Sequence, residues 1–553
     1  MTTLAPTLRQ ACEQWSDRPA ITFRGTTTIT YGELWRQVEV LAAAYRRTGV
    51  RPGDRIVCQF RNCPEYVVVV AAAWECGAIH VGTDNDLTGS ELAWLVERTE
   101  ARVLTFQPWS DAGDELNALG DVRRARPETT VILHEVCPEH EGHACLKNIL
   151  EAEPQPDGQG PSGPVSGVPG PSGPVLGPDD TAVLHLTSGT TGRPKAVKET
   201  LPAFWAKMQF FADAFDPGPD DVMLLYLPMG HVFGVRLGLM TLLTGGRLVL
   251  MERFSPSRAL RVIAEEGVTV LPGMPTHLNL ILAALDGDAP EFDGRVGATW
   301  VGVPDHALRS LRWVISAAAS LPRGLTEQIY ERLGVEILFV YGCSENFTTC
   351  TVDPDEILAG SVGSRVFSGP AGTPPNGLVQ AVNPLDHTPM PAGSEGELAF
   401  GARQPVRYWK APDAATDGWY YTGDLGRVDP DGQVFVLGRL KELVNRGGLK
   451  VSPTEVEAAA VRHPGVADAA VVGTPDPVLG EAVCACIVPA GDDPPTLSEL
   501  RDFLGRSLAR HKLPDEMAVV DAIPRTVIGK VDRAALVATV LADEPARQRS
   551  RPR

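Results

Sequence analysis

The stretch Leu186–Lys195, LTSGTTGRPK, holds four hydroxyl side chains, two glycines and two cations. Glycine lets backbone N–H groups turn towards anionic oxygens, and serine or threonine adds hydroxyl donors. The stretch continues Thr181–Thr187, TAVLHLT, which predicts a strand, and a glycine-rich loop after a strand is typical of phosphate binding. By composition alone, a polar surface turn is an equally good interpretation, so the choice between the two depends on other features of the sequence.

The loop differs from the Walker sequence of P-loop ATPases and GTPases. That motif requires a lysine directly after its second glycine, followed by serine or threonine. Here Gly192 is followed by Arg193, Pro194 and Lys195. An ordinary P-loop NTPase is therefore the weaker alternative.

The chain has 553 residues, of which 43% are hydrophobic and 22% are charged, and this composition is typical of a globular protein. The longest apolar run, Tyr66–Trp74, is too short to span a membrane, and we interpret it as a buried strand or helix. We expect a cytoplasmic protein with reduced thiols, because no signal peptide and no CxxC pair is evident among ten cysteines. The formal charge of −19 argues against a nucleic-acid partner.

Alternating strand-like and helix-like segments predict an α/β architecture over most of the chain. Residues 151–180 differ, since proline and glycine fill fifteen of thirty positions, and we interpret them as a flexible surface insertion. Near Gly438 the pattern changes to short strands mixed with helices, and Ser452, Pro453 and Glu455 predict the start of one helix, as a cap, a first-turn proline and a capping-box acid. The sequence predicts an N-terminal domain over 1–438, a boundary at 439–441, a small α+β domain over 442–540 and a solvated tail over 541–553.

Four further motifs lie far from the loop in sequence. They are YGCSEN (Tyr341–Asn346), WYYTGDLG (Trp419–Gly426), GRLKELVNRGG (Gly438–Gly448) and PRTVIGKVDR (Pro524–Arg533). Together with LTSGTTGRPK, in this order and spacing, they resemble the motif series of the adenylate-forming superfamily. That superfamily includes acyl- and aryl-CoA synthetases, peptide-synthetase adenylation domains and beetle luciferase.

The resemblance covers nearly the whole chain and implies both fold and chemistry. The implied fold is α/β, with a large N-terminal domain of two α/β-layered sheets plus a distorted β-barrel, and a small mobile α+β C-terminal domain. The implied reaction begins with attack of a carboxylate on the α-phosphorus of ATP, which releases pyrophosphate. A thiol then attacks the acyl-adenylate and AMP leaves.

The resemblance also implies a nucleotide site. The β- and γ-phosphates of ATP would be held by Thr187, Ser188, Gly189, Thr190, Thr191 and Lys195. Glu345 would hold Mg²⁺, since carboxylate oxygen suits that ion. Tyr341 would lie against adenine with Gly342 in the same site, and Ser344 would reach the region of the α-phosphate.

Two motifs would complete the nucleotide site and connect it to the second domain. Asp424 would accept hydrogen bonds from both ribose hydroxyls, and Arg439 would meet the ribose or the phosphate. Lys441 resembles the family's hinge, where a backbone rotation swings the small domain between two catalytic poses. Gly447 and Gly448 would line the tunnel for the thiol.

Lys530 is the strongest single catalytic candidate, beside Glu345 and Thr191. By resemblance it lies between the carboxylate and the α-phosphate during adenylation. A compact ammonium can neutralise both anions as they meet.

The acyl pocket is assigned by resemblance to LPMGHVFG, with His231, Phe233 and Gly234, and to the SAAAS stretch, with Ala318 and Ala319. Many acyl- and aryl-CoA synthetases have SGGAP where this chain has SAAAS, so substrate size does not carry over from the family. Amino-acid-activating relatives carry an aspartate near LPMGHVFG, and this chain has none. Because an uncompensated ammonium would be costly there, an apolar or aromatic carboxylic acid fits better.

The leading hypothesis is an acyl-CoA synthetase that uses ATP, Mg²⁺ and coenzyme A. No attachment domain follows Lys530 in the sequence, so we expect an external acceptor. The first alternative is an adenylating enzyme that loads a separate carrier protein. The second is a catalytically silent nucleotide-binding protein, against which the filled catalytic positions argue. The identity of the acid and the choice between acceptors stay open.

Overall fold

The computed structural model describes most of the chain. The described residues are 4, 7–83, 87–107, 114–134, 144–151, 176–187, 195–286, 308–317, 319, 321–345, 348–366, 379–401, 407–412, 418–491, 493–525, 531–542 and 548–549. Most of the proline- and glycine-rich insertion lies outside these ranges, so that prediction stays a prediction. Most of the tail also lies outside them, but Gln548 and Arg549 pair with Met517 and Glu516 in the C-terminal sheet, so the tail is not solvated chain throughout.

The first part of the chain alternates helices and strands. In order they are α1 (Leu8–Gln14), β1 (Pro19–Phe23), β2 (Thr27–Thr30), α2 (Tyr31–Arg47), β3 (Arg55–Gln59), α3 (Pro64–Glu75), β4 (Ile79–Gly82), α4 (Gly89–Thr99), β5 (Ala101–Phe106), α5 (Asp114–Ala125), β6 (Thr130–Leu133), β7 (Ala144–Cys145), α6 (Leu146–Glu151), β8 (Thr181–Thr187), β9 (Lys195–Thr200) and α7 (Leu201–Phe215).

The second part continues the alternation and ends in antiparallel strands. Its elements are β10 (Val222–Leu225), α8 (Val232–Leu243), β11 (Arg247–Leu250), α9 (Pro256–Glu266), β12 (Val270–Gly273), α10 (Pro275–Leu285), β13 (Trp313–Ala317), α11 (Arg323–Leu333), β14 (Glu336–Gly342), β15 (Thr348–Thr351), α12 (Pro354–Leu358), β16 (Arg365–Val366), β17 (Val379–Val382), β18 (Gly396–Gly401), β19 (Trp419–Val428) and β20 (Val434–Arg439).

The last part mixes strands and helices. Its elements are β21 (Val444–Arg446), β22 (Leu449–Val451), α13 (Pro453–Ala460), β23 (Val466–Asp476), β24 (Gly480–Pro489), α14 (Leu497–Leu504), β25 (Glu516–Val519), α15 (Arg533–Ala542) and β26 (Gln548–Arg549).

These strands form four sheets. A seven-stranded sheet has the order β7-β6-β5-β3-β4-β8-β9, and a nine-stranded sheet has the order β16-β15-β14-β13-β12-β10-β11-β1-β2. A four-stranded antiparallel sheet follows as β17-β18-β19-β20. The fourth sheet runs β22-β21-β24-β25-β26, with β23 also paired to β24.

The predicted fold class is confirmed, with two α/β sheets and a separate α+β C-terminal part. The predicted barrel takes the form of the antiparallel β17–β20 sheet, and no strand pairing between described residues closes it. The run Tyr66–Trp74, read from sequence as a strand or a helix, lies in helix α3. Strands β3 and β4 are parallel neighbours, so the chain has to cross back between them, and α3 makes that crossover.

One local prediction at the start of α13 is wrong. Ser452 and Glu455 were expected to form a capping box, but Ser452 makes no side-chain cap bond to its helix. Its hydroxyl donates to the carbonyl of Leu437, and Glu455 pairs with Lys512 at 2.6 Å. Tertiary partners on β20 and near β25 therefore take both side chains away from the helix end.

Among the described residues, no helix combines the length and the apolar composition that crossing a membrane requires.

His80 on β4 gives folding a pH dependence that can be measured. Burial, with a smaller effect from neighbouring His185, lowers the pKa of His80 from 6.5 to about 3. Below pH 6.5 the unfolded chain binds a proton on this side chain and the folded chain does not, so stability falls as pH falls. When the pH falls from 6.5 to about 5, we expect the free energy of unfolding of the parent to fall by about 2 kcal/mol more than that of the His80→Gln variant. Urea unfolding at both pH values measures this, and equal losses in the two proteins would contradict it.

Candidate active site

The predicted phosphate loop is the connection between β8 and β9. The two strands are antiparallel, and Thr187 is paired across them with Lys195. The Thr187 hydroxyl donates to the carbonyl of Lys195 at 3.4 Å. Ser188, Gly189, Thr190 and Thr191 lie outside the described residues, so their phosphate contacts stay predictions.

Lys195 and Glu345 belong to motifs that are distant in sequence, and both contact the side chain of Tyr408. The Lys195 ammonium lies 5.1 Å from the centroid of the Tyr408 ring, and the Tyr408 hydroxyl donates to Glu345 Oε1 at 3.1 Å. Burial, and then the Glu345 carboxylate, raise the pKa of Tyr408, so the phenol keeps its proton and remains a donor. The structure thus brings the phosphate-loop lysine next to the acid predicted to hold a metal.

Glu345 fits a hard cation. Its side chain is half-buried beside Tyr408, and Mg²⁺ in nucleotide sites usually binds one or two carboxylates together with phosphate oxygens and waters. The bond from Tyr408 uses one carboxylate oxygen and fixes the orientation of the other. Ser344 lies one residue earlier in the same turn and is also half-buried.

Asp424 is the centre of a second cluster. Its carboxylate is buried, and it accepts a hydrogen bond from the Tyr341 hydroxyl at 2.6 Å and an ion pair from Arg439 Nε at 2.6 Å. Asp424 and Arg439 are paired across β19 and β20. Gly342, which follows Tyr341, ends β14 opposite Thr348. Three of the predicted motifs therefore converge on this one carboxylate.

The protonation states in this second cluster follow from its packing. Burial, and then Asp424, raise the pKa of Tyr341. Burial alone would lower the pKa of Arg439, but the Asp424 carboxylate outweighs it and raises that pKa. At neutral pH the cluster holds an anion between a neutral donor and a cation. The observed partner of the Tyr341 hydroxyl is thus the acid predicted to bind ribose.

His231 lies at the start of helix α8. Its Nδ1 accepts the backbone N–H of Phe233 at 3.3 Å, as an N-cap does. Close packing requires glycine at position 234, because a Cβ atom there would lie 2.2 Å from the carbonyl oxygen of Pro228. His231 and Phe233 are half-buried, whereas Gly234 is buried.

The second stretch assigned to the acyl pocket is only partly described. Strand β13 ends at the buried Ala317, and Ala319 is exposed. Ala318 lies outside the described residues. The hydroxyl of Ser316 is buried and makes no hydrogen bond to the described part of the chain.

The predicted hinge and thiol-tunnel residues lie on exposed backbone after β20. Lys441 is in a short 3-10 helix, Leu440–Glu442. Gly447 and Gly448 form the turn between β21 and β22 with φ of 58° and 88°, a left-handed region that favours glycine.

Lys530 lies outside the described residues, but the residues on both sides of its loop are described. Arg525 and Val531 pair as an antiparallel bridge. Arg525 also pairs with Asp468 at 2.8 Å, and Arg533 pairs with Glu442 at 2.9 Å. The base of the loop is thus tied to β23 on one side and to the segment of the predicted hinge on the other.

Sequence reasoning missed Tyr408 and a buried charge cluster around Glu199. Glu199 on β9 contacts His185 Nε2 on β8 at 2.6 Å, Lys207 Nζ on α7 at 2.8 Å and Arg236 Nη2 on α8 at 2.7 Å. All four side chains are at most 6% exposed. The sequence contains a signal of this cluster, because its charged residues interrupt apolar runs at positions that face the protein interior.

The cluster is held together by charge. Burial alone would raise the pKa of Glu199, but Arg236 and Lys207 hold it well below its usual range. Burial and Arg236 lower the pKa of Lys207 to about 8, against the opposing effect of Glu199. One anion thus compensates two buried cations at neutral pH.

Comparisons with known proteins identify the family of this chain. The AMP-binding enzyme model matches residues 8–407, and the AMP-binding enzyme C-terminal domain model matches residues 455–530. A 2-hydroxy-7-methoxy-5-methyl-1-naphthoate–CoA ligase from Streptomyces carzinostaticus is 31% identical, over 93% of this chain and 88% of its own. A fatty acid–[acyl-carrier-protein] ligase, ScoC, from Streptomyces coeruleorubidus is 30% identical, over 94% and 92%.

Solved structures show the same fold. ATP-bound MatB from Rhodopseudomonas palustris superposes with a TM-score of 0.78 at 24% identity, over 97% of this chain and 99% of that one. The class defined by fold and relatives is that of AMP-forming acid–thiol ligases, which activate a carboxylic acid with ATP. The chain belongs to the AMP-binding enzyme family, within the adenylate-forming superfamily.

Glu199→Gln should destabilise the protein strongly. It leaves Lys207 and Arg236 buried with no compensating anion, so we expect the free energy of unfolding to fall by about 3–5 kcal/mol. Denaturant unfolding at neutral pH measures the change. The matched control is Glu327→Gln, which removes an exposed pair with Arg323 and should cost less than about 1 kcal/mol. Similar losses in both variants would show that the cluster contributes no more than a surface pair.

Proposed function

We propose that this enzyme converts an apolar or aromatic carboxylic acid to its acyl-adenylate and transfers the acyl group to coenzyme A. The single observation that carries the proposal is the contact of Lys195 and Glu345 with Tyr408. A cation and a carboxylate from two separate motifs contact the same tyrosine, which supports a site where the carboxylate would hold a metal ion beside a polyphosphate.

Adenylation brings a carboxylate towards the triphosphate, so the site has to offset repulsion between anions. We assign Lys195 and Thr187 to the β- and γ-phosphates, with Ser188, Gly189, Thr190 and Thr191 of the same loop. Glu345 would hold Mg²⁺, which supplies charge neutralisation at the phosphates when bound. Tyr408 orients Glu345 by its hydrogen bond and supports the Lys195 ammonium on its ring face.

The nucleoside is assigned to the Asp424 cluster. Asp424 would accept the ribose hydroxyls, with its orientation fixed by Tyr341 and Arg439 before ATP arrives. Such pre-orientation reduces the ordering cost of binding. Tyr341 and Gly342 would border the adenine, and Ser344 would reach the α-phosphate.

We propose two domains, 1–438 and 442–540, with a hinge at 439–441 and the tail beyond. The interval between the two family models, 408–454, contains this boundary. Rotation at Lys441 would exchange Lys530, needed for adenylation, for the Gly447–Gly448 turn, needed for thiol transfer. The exposed backbone at Lys441 and the short 3-10 helix around it suit such a rotation.

We propose an acid without an α-ammonium group, bound near His231, Phe233, Gly234 and the Ala318–Ala319 stretch. The segment around His231 offers no carboxylate to pair with an ammonium. The naphthoate–CoA ligase relative acts, by its name, on an aromatic acid and CoA, which supports an aryl substrate and CoA here.

A separate carrier protein is the second candidate acceptor, because the relative ScoC is named as an acyl-carrier-protein ligase. We also propose a cytoplasmic location. All nine cysteines in the described part of the chain are free, in keeping with a reducing compartment.

The test of the proposed function is a product assay. Purified enzyme is incubated with ATP, Mg²⁺, CoA and a panel of aryl, aliphatic and amino acids, and mass spectrometry follows acyl-AMP and acyl-CoA. We expect acyl-CoA from aryl or apolar acids and none from α-amino acids. Acyl-AMP without acyl-CoA would favour a carrier protein. If the full panel gives neither product, the proposed reaction is wrong for these acids.

Lys530→Ala should separate chemistry from binding. If the ammonium neutralises the meeting anions, its loss should slow acyl-AMP formation by about 100-fold or more and leave ATP affinity within about threefold, since the β- and γ-phosphates are assigned to the other domain. Single-turnover kinetics and equilibrium ATP binding measure the two effects. Lys512→Ala, on the same domain and paired with Glu455, is the matched control and should adenylate normally. Adenylation at the parental rate by Lys530→Ala would overturn the assignment.

A further inference from the structure

A cysteine, a glutamate and a histidine, none of which belongs to the motifs discussed above, converge at one edge of the seven-stranded sheet. Cys63 and Glu65 lie just after β3, at the start of α3, and His134 follows directly after β6. Strands β3, β5 and β6 are parallel, so the carboxyl ends of β3 and β6 open on the same edge. Topology therefore brings side chains 71 residues apart in sequence to one place.

The three side chains offer one ligand atom each, and these atoms all lie within 4.8 Å of one another. His134 Nε2 is 3.4 Å from Glu65 Oε2. Around a tetrahedral zinc ion with bonds of about 2.0–2.3 Å, ligand atoms are separated by roughly 3.3–3.8 Å. The group is thus close to the spacing that a single ion requires.

The burial of the group also indicates a ligand. His134 Nε2 is buried, and its contact with the Glu65 carboxylate, at 3.4 Å, is longer than a good hydrogen bond. A metal ion between the two groups would satisfy both better than this long contact does. Cys63 occupies the N-cap position of α3, but its side chain makes no capping bond.

The exposure of the three side chains gives an ion a way in. Cys63 is 1% exposed, and the side chains of His134 and Glu65 are 8% and 19% exposed. The carboxylate therefore lies at the mouth, with the thiol and the imidazole behind it. Thiolate, imidazole and carboxylate together suit Zn²⁺ and do not suit Mg²⁺ or Ca²⁺, which prefer all-oxygen ligands.

We propose that Cys63, Glu65 and His134 form a binding site for one Zn²⁺ ion, distinct from the Mg²⁺ position assigned to Glu345. On binding, the Cys63 thiol loses its proton to solvent and its sulfur bonds the ion. His134 Nε2 and a Glu65 oxygen complete three protein ligands, with water as the fourth. The ion joins the start of α3 to the end of β6 and so reinforces the edge of the sheet.

The test uses Co²⁺ as a spectroscopic probe on the full-length enzyme after chelator treatment. Co²⁺ bound to a thiolate gives a sulfur-to-metal charge-transfer band in the near ultraviolet. We expect one equivalent of Co²⁺ with this band in the parent, its displacement by Zn²⁺, and an increase in Tm on Zn²⁺ addition.

Variants on α3 then assign the ligands. Cys63→Ser should lose the charge-transfer band, and Glu65→Gln should keep the band but bind Co²⁺ at least about tenfold more weakly. The matched control is Cys76→Ser at the other end of the same helix, where the thiol donates to the carbonyl of Ala42. It should retain the band. Circular dichroism confirms that each variant is folded.

The same experiment distinguishes other ligands. The sequence between 135 and 143 contains Cys137, His140 and His143, and these residues lie outside the described part of the chain. A band that survives in folded Cys63→Ser would place the thiolate elsewhere and overturn the proposal. So would a parent that binds no Co²⁺, or a Glu65→Gln variant with unchanged affinity.

Discussion

The carboxylate of Glu199 holds together the elements that flank the proposed nucleotide site. It accepts from Lys207 on α7 and Arg236 on α8 and contacts His185 on β8. Strands β8 and β9 flank the proposed phosphate loop, whereas α8 packs on strands of the other large sheet. A single buried anion therefore joins these two strands to the helix that begins at His231. Because removing one partner from such a cluster leaves a buried charge uncompensated, its members depend on one another.

The same constraint explains how a strongly acidic chain can bind a polyanion. With a net charge of −19, the cations of the site have to be placed locally and kept there. Lys195 lies over the face of Tyr408, and Arg439 is paired with Asp424. Each of these cations is held by a group that is also assigned to the proposed site, so little would have to reorganise when a nucleotide binds. Such preorganised charge stabilises developing charge better than mobile side chains do.

The sequence predicted the fold class and the order of motifs because both follow from local patterns. Strand β8 followed from TAVLHLT, and the motif resemblance assigned Tyr341, Asp424 and Arg439 to one nucleotide site, although not their contacts with one another. Tyr408 could not be found in this way, because its role depends on contacts with Lys195 and Glu345 that only the fold creates. The capping box at Ser452 failed for the same reason, since Leu437 and Lys512 compete for its two side chains. The proposed zinc ligands were missed because His134 is 71 residues from Cys63 in the sequence, and only the parallel order of the strands brings the two together.

The glycines on either side of His231, Gly230 and Gly234, pack closely against neighbouring backbone. A Cβ atom on Gly230 would lie 1.8 Å from the carbonyl oxygen of Thr83, just after β4. Nearby, the buried Asn62 side chain donates to the carbonyl of Leu227 at 3.0 Å and accepts from the N–H of Met229 at 2.9 Å. These contacts join the edges of the two large sheets. The glycines of this motif are thus required by close packing of the backbone, whichever acid is bound. In the proposed pocket, selectivity for the acid would then come from side chains rather than from these glycines, and by resemblance to the family Phe233 and the alanines after β13 are the candidates.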